Sequence, residues 1–194
     1  MNNMNDENKR SINEAKKKLD NIENREQVHE FIFERLKEYF NLRQLQHEVN
    51  EQERFIDCRW TIDSENKIFK SYRYFTDINT DLLKSIVWIS EGYDDNKSKE
   101  VLILAAHFNS LMANGIVRVD TETCTIVLEF NIRTLVPYLF SGEIDNQVMS
   151  HYHDSKNIIW AFNRLLLFHE DPVYIIIDLK NKLNQKNKKK KINK

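Results

Sequence analysis

Six histidines, two cysteines and a scatter of carboxylates are the side chains with the most chemistry to offer in this 194-residue chain. His151 and His153 stand two apart in SHYHD, the closest pair of imidazoles. On a helix, residues two apart point about 200° from each other, so the pair cannot grip one ion. A turn there would bring Asp154 or His169 into reach, yet no H-E-x-x-H or C-x-x-C motif supports a zinc site. The expectation is a solvated helix face and no metal. His107 sits beside Phe108, and neither Cys58 nor Cys124 carries a local signature that would join it to a histidine as a nucleophilic dyad. Glu91, Asp94 and Asp95 fall in one polar segment, where acidic side chains ordinarily solvate a turn. Three glycines, at 92, 115 and 142, are too widely spaced to build a phosphate-cradling loop. No catalytic, cofactor-binding or metal-binding residue is therefore assigned, and the reading is of a protein that is not an enzyme.

Two other groups of side chains point to binding. Lys188, Lys189, Lys190 and Lys191, with Lys186 and Lys194 around them, could contact phosphates through salt-dependent, sequence-independent binding, which makes nucleic acid an alternative partner. A solubilising terminus explains the same residues. In KIFKSYRYF, Phe69 and Phe75 face opposite to Tyr72 and Tyr74, so one strand is apolar on both sides. These four, with Trp88 on the next strand, are the candidate partner-binding residues. Either a partner or one of the terminal helices covers the second face.

Several elements must position these residues. Asn24, with Gln27 in capping-box spacing, opens a helix that places Val28, Phe31, Ile32, Leu36, Tyr39 and Phe40 on one face. Residues 55–62 alternate as a half-buried strand, with Ile56, Cys58, Trp60 and Ile62 inward. DSEN is a turn, residues 67–75 return as a second strand, and SIVWIS at 85–90 makes a third. From Ser98 the period becomes helical over Val101, Leu104, Ala105, Phe108, Leu111 and Met112, closed by Asn114-Gly115 in the manner of a C-cap. A second hairpin follows over 116–120 and 124–132, with Cys124 on an inward face like Cys58. Asp145 could cap a long helix over Val148, Tyr152, Ile159, Phe162 and Leu166, running to about Phe168. Asp171-Pro172 resembles an N-cap and first helical position for a final helix over Val173, Ile176, Ile177 and Leu183, although VYIIIDL also fits a strand.

The resulting order is α-βββ-α-ββ-α: an α+β fold with an antiparallel sheet of about five strands and helices packed on it. Residues 1–24 read as a flexible polar tail, 25–183 as a single domain and 184–194 as a basic, disordered tail. Formal net charge is −1, so no global field draws the folded body to nucleic acid. No secretory leader is visible, no apolar run approaches the roughly 20 residues that span a bilayer, and a cytoplasmic location is expected.

The order of elements, with HFNSLMANGIVRVDTETCTIVLEFNI running into a long helix, resembles the YbjN family and the related type III secretion chaperone-like fold. The resemblance covers 25–169, and its most specific piece is the helix with Asn109, the Asn-Gly pair at 114 and 115, and the ensuing hairpin. It implies a non-catalytic protein-binding module, chaperone-like or a regulatory adaptor, that dimerises with itself or binds another polypeptide along the sheet or its helices.

Overall fold

The computed structural model describes the backbone of residues 3–20, 24–63, 68–140 and 142–192, and side chains at 10, 12–19, 24–62, 68–140 and 142–182. Asn24 caps the helix that follows it, its side-chain oxygen accepting from the Gln27 N–H at 2.9 Å, and α2 runs Arg25–Leu42. The stretch before it, expected to be a polar tail, carries α1, Asn3–Asp20. Ala15 of α1 is buried and Lys18 Nζ donates to the Tyr138 carbonyl at 3.2 Å. A sparse apolar stripe at helical spacing suffices to dock such a segment.

Strands β1 (His47–Asn50), β2 (Phe55–Asp63), β3 (Ile68–Asp77), β4 (Leu82–Ser90), β5 (Gly115–Asp120) and β6 (Thr125–Arg133) form one antiparallel six-stranded sheet in the order β1-β2-β3-β4-β6-β5. The extra strand is β1, whose four residues HEVN hold one aliphatic side chain and so carry no alternation to read. It pairs with β2 in the register His47 to Cys58 and Asn50 to Phe55. Of the expected DSEN turn, Asp63 ends β2 and residues 64–66 lie outside those described.

A short 3-10 turn at Asp95–Lys97 leads into α3, Ser98–Asn109. This helix ends ahead of the expected Asn-Gly cap. Asn109 turns the chain instead, its Oδ1 accepting from the Val117 N–H at 2.6 Å and its Nδ2 donating to the Val117 carbonyl at 3.0 Å. One side chain thus replaces a strand partner for β5, and Leu111 is left exposed beyond the helix. Five residues after β6 form α4, Leu135–Leu139, then α5 runs Gly142–Phe168, starting before Asp145. Residues from Pro172 to Ile192 are helical, as α6, which resolves the helix-or-strand alternative. Asp171 Oδ1 accepts from the Val173 N–H at 2.8 Å, the N-cap that Asp-Pro foretells.

Backbone contacts divide the chain into two compact units. The first comprises Met1–Trp60, Ser71–Ile86 and Phe130–Ser150. Its core is built by Ile32, Phe33, Leu36 and Phe40 of α2, Ile56 of β2, Tyr72 and Tyr74 of β3 and Leu83 of β4. The Phe40 and Tyr74 rings meet at 5.4 Å between centroids. The second comprises Thr61–Lys70, Val87–Glu129 and His151–Lys194. Val101, Leu104 and Phe108 of α3, Ile126 and Leu128 of β6, Ile159, Phe162 and Leu165 of α5, and Ile175 and Leu179 of α6 are buried there. Strand burial alternates along β4, where Leu83, Ser85, Val87 and Ile89 are buried while their neighbours are half-buried, whereas β6 buries Leu128, Glu129 and Phe130 in succession.

Candidate protein-binding surface

Tyr72 and Tyr74, expected at a partner surface, are wholly inside the first unit. Tyr72 lies against Trp60, centroids 5.9 Å apart, and Tyr74 against Phe40. Period-two alternation put them on one face correctly, and that face is the core. On the other face of β3, Phe69 is 55% exposed, whereas Phe75 and, on β4, Trp88 are half-buried.

In the first unit, cations lie over the rings on this outer face. The Arg73 guanidinium sits 3.8 Å from the Phe55 ring centroid and donates in fork geometry to Asp57, 2.8 Å to each oxygen. Lys84 Nζ lies 6.0 Å from the Phe75 centroid while bonded to Asp77 at 2.7 Å, and that bond holds the Asp77 carboxyl down at about 2.

In the second unit the apolar surface is concentrated where α5 passes into α6. Leu167, Phe168, Val173, Tyr174 and Ile177 are between 47% and 70% exposed, within one helix–turn–helix. The turn is fixed. His169 takes a left-handed backbone with φ 55°, and the Glu170 N–H returns to the Arg164 carbonyl at 3.2 Å. Arg164 then staples the two helices, its Nε donating to Glu170 at 2.8 Å and its terminal nitrogen to Asp178 at 2.7 Å. Trp160 is covered by Arg164 at 4.9 Å and Lys182 at 4.5 Å. The five apolar side chains have no such cover among the described contacts.

Sequence reasoning missed this patch. It assigned Val173, Ile176 and Ile177 to the buried face of the last helix, whereas Pro172, Ile175 and Leu179 are buried. The signal was present: VYIII is too long an apolar run for a single helical stripe, so one part of it must face outward. Leu183 lies outside the described side chains, as do Lys188, Lys189, Lys190 and Lys191.

His151 corrects the expectation of a solvated face. It is fully buried, and burial pushes its imidazole pKa down to about 3, partly opposed by a backbone hydrogen bond involving Leu128. His153 is exposed, as the helical spacing requires. Among the described residues, no group of three or more His, Cys, Asp or Glu could hold a metal ion. Cys58 is buried and accepts from Trp60 Nε1 at 2.7 Å, with burial raising its thiol to about 12. Cys124 is not inward on a strand: it stands half-buried in the turn before β6, with φ 52°. Among the described residues, no helix is long and apolar enough to cross a membrane.

No family model matches this chain, and no curated protein does. Similar solved structures include the crystal structure of the ExsC-ExsE complex, at 13% identity and a TM-score of 0.46, covering 71% of this chain and 95% of that one. The structure of the HopA1-SchA chaperone-effector complex is similar at 12% identity and a TM-score of 0.42, covering 62% of this chain and 86% of that one.

Proposed function

We propose that this chain is a non-catalytic, chaperone-like binding module that acts as a homodimer and holds another polypeptide. The observation that carries the reading is the stapled α5–α6 turn with its five bare apolar side chains. A large buried apolar side chain is worth about 1.5–3 kcal/mol relative to an exposed one, so covering five half-exposed ones yields several kcal/mol of association energy. Arg164 preorganises the two helices, which lowers the conformational cost of docking.

Light scattering after size exclusion, at low and high salt, followed by capture from a lysate of the source organism, tests it. A salt-independent dimer retaining a defined polypeptide is the expected result. A monomer that retains nucleic acid, or nothing, overturns it and returns the lysine-rich end to consideration.

A further inference from the structure

The start of α2, the turn before β4 and the end of β6 enclose a cleft of about 470 Å³, within the size range of small-molecule sites. Asn24, Arg25, Val28, His29, Asp81, Arg133, Thr134 and Leu135 line it, and all belong to the first unit. Its lining is a fixed construction. Asp81 takes a left-handed backbone, φ 53°, and its carbonyl is held by both the Thr134 N–H at 2.9 Å and the Thr134 hydroxyl at 3.2 Å. Asn-like residues tolerate that conformation, and the clamp keeps the carboxylate in place.

Charge in the cleft is unbalanced. Arg25 reaches Asp81 at 3.4 Å and His29 Nε2 reaches its other oxygen at 3.5 Å, both long for strong pairs. Arg133 is exposed and has no carboxylate partner among the described ion pairs. Glu26, the acidic residue of the first turn, is engaged by Arg54. Two arginines and one aspartate therefore line the cleft, beside the positive end of an 18-residue helix.

The second observation is His29. Its side chain lines the cleft at 1% exposure, and Nδ1 has no hydrogen-bond partner among the described residues. A buried polar atom left unmatched costs about 1–3 kcal/mol, and His29 carries that cost at the wall of the cleft. Val28 and Leu135 supply an apolar wall next to these polar groups.

We propose that this cleft binds a small amphiphilic acid, its anionic head between Arg25 and Arg133 and its apolar body along Val28 and Leu135. The cleft lies in the first unit and the α5–α6 turn in the second. The test is calorimetric titration of the full chain with octanoate and with octyl phosphate, with octanol and inorganic phosphate as controls, on the wild type and on Arg133→Glu. Nitrogen-resolved NMR of the histidine rings supplies a second readout.

Binding of octanoate or octyl phosphate that weakens at least tenfold in Arg133→Glu and shifts the His29 ring nitrogens is expected, and the tighter of the two identifies the head group. Arg133 is exposed and has no ion pair among the described residues, so the variant keeps its fold. Octanol binding equally well, phosphate alone binding as tightly, an unchanged affinity in Arg133→Glu, unmoved His29 resonances, or no binding in any arm would each overturn the assignment.

Discussion

Two surfaces, one in each unit, treat apolar side chains in opposite ways. On the outer sheet face of the first, Arg73 lies over Phe55 and Lys84 over Phe75, each cation anchored by an aspartate of the same unit. Long basic side chains there bury their stems on the rings and keep their heads in water. At the α5–α6 turn of the second unit, Phe168, Val173, Tyr174 and Ile177 carry no such cover among the described contacts, and the nearby cations Arg164 and Lys182 are spent on Trp160. A surface finished by its own side chains needs no partner. A rigid surface left unfinished is what an interface requires before the partner arrives.

The largest effect should come from charging that surface. Phe168→Glu with Tyr174→Glu should weaken self-association or polypeptide capture by at least a hundredfold in sedimentation or pull-down. The unfolding free energy should move by only about 0.5 kcal/mol per site, because both side chains are already exposed. Unchanged association would end the distinction between the two units.

Acid should separate the units next. The folded pKa of His151 is about 3, below the roughly 6.5 of an unfolded imidazole, so the unfolded chain takes the proton first and stability falls as pH drops through that window. The loss should be roughly 2 kcal/mol between pH 7 and pH 5, read from urea midpoints. His151→Leu should flatten that slope. Hydrogen exchange should show the second unit loosening first; equal loosening of the first unit would contradict the assignment to His151.

The smallest effect tests the cover on the first unit. Arg73→Ala removes the guanidinium from Phe55 and leaves Asp57 without its fork, and should cost about 0.5–1 kcal/mol after solvent screening. Self-association at high protein concentration should rise by a measurable increment. A variant as monomeric as the parent would mean that the cation does nothing to keep this face from docking.

Local patterns gave up the elements readily. The Asn24 cap, the alternation through Ile56 and Cys58 and the Asp171-Pro172 helix start are each fixed by neighbours in sequence, because a cap or a pleat is satisfied within a few residues. Asn109 was legible as a special residue, and its bonds to Val117 show why: it ends α3 and holds the edge of β5 with one amide. The placement of Cys124 in a left-handed turn had no comparable local cue, since Asn or Gly would be the usual occupant.

What the sequence determined by itself, then, was the α+β order, the antiparallel hairpins and the two-sided apolar character of β3, because periodicity is a local property. Only the tertiary structure decided which apolar face was kept inside. Both stripes of VYIII are hydrophobic, and packing against the second unit's core chose Ile175 and Leu179, leaving Val173, Tyr174 and Ile177 outside. The same holds for His151, whose neighbours in sequence are polar and whose burial comes from elements far along the chain. It holds again for the cleft, where Arg25, Asp81 and Arg133 are brought together from three distant segments by strand pairing and a helix start. Non-local contacts of this kind leave no trace in spacing, because their partners are set by how the chain folds back rather than by what lies next to them.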